Sequence, residues 1–214
     1  MYLVRKKSEP EEFDSLVRKP GEKFLKENPN PTREDWKNKK NQYWTRISEK
    51  LYDEYNGICA YSWLWFSTSS GAKTVDHFKP KSKYPSLAYE WKNYRLVSLR
   101  FNSRKGVKRV LDPFLLHSEF FILEFPSLIV KPAPGLSICR KKSVEQTIRV
   151  LKLDSDESFR NACNNWLKDY CSGEITFDYL KKKAPFIASQ LELQTKLEEI
   201  KNIMVYPDIG RESI

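Results

Sequence analysis

Pro80 lies three residues after His77, in the stretch TVDHFKPKSKYP at 74–85. Proline lacks an N–H and holds φ near −65°, so a strand that includes Thr74 and Val75 must stop before it. The sequence therefore predicts a strand that ends near His77 and a loop that begins at Pro80. Asp76 and His77 fall at the strand end. Lys79, Lys81 and Lys83 alternate along the loop, and Pro85 bounds it. A carboxylate, one of the chain's two imidazoles and a row of ammonium groups are thus gathered within ten residues.

The flanking segments suggest how that strand is housed. ICAYSWLWFSTSSGAKTVDHF is aromatic and β-branched around a Ser/Gly turn at 67–71, which predicts a β-hairpin with its second strand ending near His77. WKNYRLVSLRF predicts a short strand or ordered loop. NSRKG predicts a short helix with Asn102 near its N-cap. Upstream, PTREDWKNKKNQYWTRISEKLYDEYNG predicts one helix, started by Pro31 and Thr32, with Asp35 in its first turn and a stop at Gly57. Its apolar stripe is Trp36, Tyr43, Trp44, Ile47, Leu51 and Tyr55, and these aromatics are assigned to the core. Residues 1–30 are polar and proline-bearing, and predict an extended arm or a loosely packed lead-in.

Downstream of Leu111 the chemistry fades. EFFILEF and SLIV predict strands around Pro126. SVEQTIRVLKL predicts a helix with a capping box of Ser143 and Gln146. DESFRNACNNWLKDYCSG puts Phe159, Cys163, Trp166, Leu167 and Tyr170 on one helical face, with Cys163 a buried thiol. PFIASQLELQTKLEEIKNIM predicts a further helix. His117, amid the apolar DPFLLHSEFF, is assigned a structural role. Strands and helices segregate along the chain instead of alternating, so the expected class is α+β.

Charge sharpens the picture. The chain carries +10, and residues 55–110 hold eleven basic side chains against Asp76 and Glu90. After Val110 the balance is 14 basic to 15 acidic. Positive charge concentrated in one window is the footprint of a polyanion site. No run of about 18 apolar residues exists, so no transmembrane helix is expected. The N-terminus lacks the apolar run of a secretory signal, and a cytoplasmic location is expected. In that location the four cysteines, Cys59, Cys139, Cys163 and Cys171, are expected to be reduced thiols, and with no CxxC pair neither a zinc ribbon nor a thioredoxin-like site is signalled.

The order Asp76-His77, Asn93, Asn102-x-x-Lys105 spans thirty residues inside the basic window. With YNGICAYS, VDHFKPKS, YEWKNYRLVS, NSRKG and VLDPF, it resembles the HNH endonucleases and their ββα-metal motif. The similarity is closest to the nuclease subunits of Septu-type anti-phage systems and to HNH effectors attached to retrons. The resemblance covers about residues 57–113. It implies an N-terminal arm and helix at 1–56, the nuclease motif at 57–113, and an α-rich region at 114–214 that serves as a partner-docking surface.

It also implies roles. His77 matches the general base, Asp76 and Asn102 the metal ligands, and Asn93 the residue that braces the histidine loop. Lys105 matches a phosphate contact, joined by Lys79, Lys81, Lys83 and Arg104 as nucleic-acid-binding residues. The expected cofactor is one Mg²⁺ or Mn²⁺ ion, and the expected partners are DNA and an ATPase subunit, with no membrane. The chemistry is coherent: imidazole has suitable basicity to activate water, and a hard cation stabilises charge on a phosphodiester. Many relatives bind a structural zinc through two cysteine pairs. Here Ser62 follows Cys59 in CAYS, and SLRFN has no cysteine, so no structural zinc is expected. Packing of Trp63, Trp65, Phe66, Trp91 and Phe101, or the flanking regions, is expected to hold the motif instead. Two alternatives stand beside a DNA endonuclease: a non-catalytic nucleic-acid-binding module and an RNA-directed nuclease or toxin.

Overall fold

The computed structural model describes residues 4–68, 73–115 and 118–204. The chain forms two compact units, Leu3–Leu116 and His117–Ile214. Among the described residues, helices and two small antiparallel sheets of two strands each make a mixed α and β protein. No helix among the described residues is long and apolar enough to cross a membrane. The Ser/Gly turn at 67–71 lies partly, and His117 wholly, outside the described residues.

In the first unit, the predicted extended arm is helical. A π-helical turn at Asp14–Arg18 leads into α1 (Lys19–Glu27). The sequence holds a stripe that explains it: Phe13, Val17, Gly21 and Phe24 recur at helical spacing and are all buried. Pro20 has no N–H to give to the preceding turn, and the wider π turn sits just before it.

The single helix expected over 31–57 is instead four short pieces. α2 (Arg33–Lys37) starts with a full capping box between Thr32 and Asp35. It ends because side-chain amides take its carbonyls: Asn41 Nδ2 donates to Asp35 O at 2.9 Å, and Gln42 Nε2 donates to Trp36 O and Lys37 O at 3.2 and 3.1 Å. Asn38 adopts an extended conformation and caps the 3₁₀ turn Lys39–Asn41. A second 3₁₀ turn, Tyr43–Ile47, then leads into α3 (Ser48–Glu54). Asn and Gln offered the backbone local partners that an unbroken helix would not have used. Gly57, at φ +68°, closes the exit turn through Gly57 N donating to Tyr52 O at 2.9 Å.

β1 (Lys73–His77) does end where Pro80 required. Its partner, however, is not the 58–66 segment of the expected hairpin. It pairs with β2 (Tyr94–Ser98), in a register that sets Asp76 opposite Arg95 and His77 opposite Tyr94. Residues 58–66 form the bridge Ile58–Trp65 and a tight turn in which Trp63 N donates to Cys59 O at 2.9 Å and Cys59 N to Leu64 O at 3.0 Å. Ala60 N donates to Leu96 O at 2.8 Å, which docks this turn on β2. The strand is followed at once by α4 (Leu99–Lys105), with Ser98 at the N-cap position and no side-chain cap bond, so Asn102 lies inside the helix and not at its N-cap.

In the second unit, β3 (Phe121–Glu124) and β4 (Ile129–Pro132) pair as an antiparallel hairpin. α5 (Ile138–Leu151) begins at Ser137, whose side chain accepts from Arg140 N, so Ser143 is interior and not a cap. Its hydroxyl donates back to Cys139 O at 3.1 Å. α6 (Glu157–Cys171) buries Phe159, Cys163 and Leu167, the centre of the predicted face. α7 (Phe177–Lys183) and α8 (Pro185–Leu193) follow, and α9 (Ile200–Ile203) is separated from α8 by a turn that includes Thr195 at φ +51°. Gln190 of α8 reaches into the sheet, accepting from Leu123 N at 3.0 Å and donating to Phe121 O at 3.2 Å.

Candidate functional site

The site is built on β1, β2, the loop between them and α4. Alternation along β1 puts Thr74 and Asp76 on one face. Asn102 and Lys105, three apart on α4, meet that face: Asn102 Nδ2 lies 2.9 Å from Thr74 Oγ1 and Lys105 Nζ lies 2.8 Å from Asp76 Oδ1.

Asp76 is only 3% exposed. Its second oxygen, Oδ2, accepts from the Tyr61 hydroxyl at 2.6 Å. Burial, reinforced by the Asp76 charge, pushes the Tyr61 hydroxyl well above the usual phenol range, so it stays protonated and donates. The 1%-exposed Lys105 ammonium also donates to His77 O at 2.9 Å and reaches Gly106 O at 3.5 Å. All three of its N–H groups face protein oxygens. Lys105 therefore corrects the expectation of a phosphate contact: it is the buried counter-charge of Asp76.

His77 is 6% exposed. Its Nε2 lies 2.8 Å from Ala88 O. A carbonyl can only accept, so Nε2 carries the hydrogen and Nδ1 keeps the free lone pair. The ring is gripped edge-on by Trp44 at 4.8 Å and Tyr94 at 5.2 Å between centroids. Burial, with the nearby Lys81 and Lys105 charges, lowers its pKa to about 3, against the raising effect of the Ala88 bond. The imidazole is neutral at physiological pH, but the burial that lowers its pKa also makes it a weaker base than a free imidazole.

Asn93 fixes the loop that carries this arrangement. Its Oδ1 accepts from Lys79 N at 2.7 Å, and its Nδ2 donates to Lys79 O and Leu87 O at 3.0 and 2.9 Å. One buried amide thus ties the start of the loop to the segment that ends in Ala88, whose carbonyl orients His77. Phe78 N donating to Asn93 O at 2.9 Å adds a fourth tie.

The remaining predicted residues are spread around this core. Lys79 and Lys83 are exposed and make no ion pair among the described residues. Lys81 is half-buried, with its ammonium 4.9 Å from the Trp44 ring centre, and burial lowers its pKa. Arg104 lies over Phe101 at 5.3 Å. Of the aromatics expected to hold the motif, Trp63, Trp91 and Phe101 are buried, and Trp65 and Phe66 half-buried. Arg95, counted in the basic window, is spent inside: it grips Asp112 through two nitrogens at 2.8–3.1 Å and stacks 3.7 Å from the Phe114 ring centre.

Sequence reading missed Tyr61, Thr74 and Ala88. Tyr61 was visible only as another aromatic in CAYS, and Thr74 only as a strand former. A backbone carbonyl such as Ala88 O leaves no trace in the residue type.

Among the described residues no three His, Cys, Asp or Glu side chains gather into a metal cluster. Hard oxygen donors are nonetheless present. Asn102 Oδ1 accepts no hydrogen bond among the described residues, and each Asp76 oxygen accepts a single one, with a lone pair unused. Two oxygen ligands completed by water and phosphate suit Mg²⁺ or Mn²⁺, so these residues fit such an ion. Lys105 already offsets the Asp76 charge. No family model matches the chain, and no curated protein matches it.

Proposed function

We propose that the first unit is a metal-dependent endonuclease of HNH type, with a ββα-metal core formed by β1, β2 and α4, that hydrolyses DNA phosphodiester bonds. The observation that carries this reading is the orientation of His77. Its Nε2 is committed to Ala88 O, its Nδ1 is left as the acceptor, and Asn93 holds the loop that provides Ala88. His77 is the general base toward water. Asp76 and Asn102 hold the divalent ion, which supplies charge stabilisation on the phosphate and leaving oxygen. Lys79, Lys81 and Lys83 bind neighbouring phosphates. The resemblance to Septu-type and retron-associated nucleases supports a role as a cytoplasmic anti-phage effector that works with an ATPase partner.

Plasmid cleavage in Mg²⁺ or Mn²⁺, with and without chelator, tests the reading. Metal-dependent nicking or linearisation that disappears in His77→Ala supports it. Absence of cleavage at every metal concentration sinks it. One observation favours a second reading, a nucleic-acid-binding module without catalysis. Trp44 covers the His77 ring, and Tyr61 and Lys105 enclose Asp76. DNA binding without cleavage would select that reading.

A further inference from the structure

The Thr74 hydroxyl has one hydrogen to give and two sites at which to accept. It gives the hydrogen to Val97 O on β2, at 2.7 Å. Whatever faces Thr74 Oγ1 from the helix must then be a donor. The facing group is the amide of Asn102, at 2.9 Å. The two ends of an asparagine amide have the same shape, and only such a network distinguishes them. The network here is decisive: Nδ2 faces the strand, and Oδ1 is turned away from it. Asn102 is half-buried, and its Oδ1 accepts no hydrogen bond among the described residues. Thr74 shares its face of β1 with Asp76, under the same helix.

We propose that Thr74 is a positioning residue for the cation site: the relay from Asn102 Nδ2 to Thr74 Oγ1 to Val97 O makes the Asn102 carbonyl oxygen, and not its NH₂, the atom offered to a divalent ion. This rests on the reading of Asn102 as a cation ligand. The rotated amide would present a donor, which repels a cation. Without the hydroxyl the amide is free to turn, and the ligand is lost for part of the time. Thr74 never touches the metal. It acts through Asn102, in the way that outer-shell hydrogen bonds orient metal ligands in general.

The test uses Thr74→Val, which keeps the shape and strand propensity and removes the hydroxyl, and Thr74→Ser, which keeps the hydroxyl. Cleavage is titrated against Mn²⁺. The Val variant is expected to raise the Mn²⁺ midpoint about tenfold or more, in the range of such outer-shell losses. The Ser variant is expected to return close to the wild-type midpoint. A Val variant with the wild-type midpoint, or a Ser variant as impaired as Val, overturns the proposal. A second readout does not need activity. In isotope-labelled wild-type protein, the Asn102 side-chain NH₂ should show a nuclear Overhauser contact to Thr74, and added Mn²⁺ should broaden the Asn102 amide signal. Broadening that is weakened in Thr74→Val supports the proposal even if no cleavage is found and the nuclease reading fails. No contact, or no broadening, in the wild type overturns it whether or not the Val variant folds.

Discussion

His77 has two measurable consequences, one chemical and one thermodynamic. Under the proposed function, replacement of His77 by Ala should cut nuclease activity by about 10²–10⁴-fold, the usual share of a general base, while DNA binding is retained. Equal cleavage by mutant and wild type would remove His77 from the chemistry. The thermodynamic consequence follows from burial. In the folded protein the ring stays neutral down to about pH 3, whereas an unfolded histidine takes up a proton near its ordinary value of 6.5. Between those values the unfolded state binds more protons, so this residue's contribution to stability is complete above about pH 6.5 and erodes as the pH falls. Thermal unfolding in chelator, followed from about pH 7.5 to about pH 4.5, should therefore fall more steeply for wild type than for His77→Asn, which lacks the titration. Parallel curves would mean that the ring is protonated in the folded state.

At the scale of elements, α4 and the loop after β1 act as a clamp. Lys105→Met should destabilise the protein by about 3–5 kcal/mol, because it strands the Asp76 carboxylate in the interior without its ammonium. Urea unfolding would measure this, and a change of under about 1 kcal/mol would show that the pair is solvated. The same residue marks where the sequence stopped being legible. The order of Asp76, His77, Asn93, Asn102 and Lys105 was visible, as was the strand end before Pro80. The role of Lys105 was not, because a lysine in a basic window looks the same whether it faces solvent or a carboxylate 29 residues away. The partner of β1 was missed for a similar reason. Residues 58–66 and 94–98 have comparable strand-like composition, and the choice between them was made by non-local pairing. The long helix over 31–57 failed locally: its periodicity was right for burial of Trp36, Trp44, Ile47, Leu51 and Tyr55, yet Asn38, Asn41 and Gln42 broke its hydrogen bonding. A hydrophobic stripe fixes which side chains go inward more firmly than it fixes one continuous helix.

For the molecule as a whole, net charge overstates the surface that a polyanion meets. Within the 55–110 window, Lys105 is neutralised by Asp76, Arg95 by Asp112, and Lys73 pairs with Glu49. Under the proposed function, the exposed lysines of the β1–β2 loop would release counterions from DNA beside the exposed Arg100, Lys108 and Arg109, and the place of each charge leads to a quantitative expectation. Binding should weaken steeply with salt, and removing one phosphate-bound lysine should lower the slope of log K against log salt by roughly 0.9 on duplex DNA. Lys79→Ala combined with Lys83→Ala should reduce the slope by about two and weaken binding uniformly across sequences. Both side chains are exposed, so this double variant should keep its thermal stability. Lys105→Met should leave the slope unchanged although it removes the same formal charge, because its ammonium is already satisfied inside. Fluorescence anisotropy on a labelled duplex, between about 50 and 200 mM salt, separates the two cases. A slope that drops by the same amount for Lys105→Met as for one loop lysine would mean that any positive charge in the window serves. In that event the polyanion would be held by the diffuse field of the first unit and not by the loop beside His77.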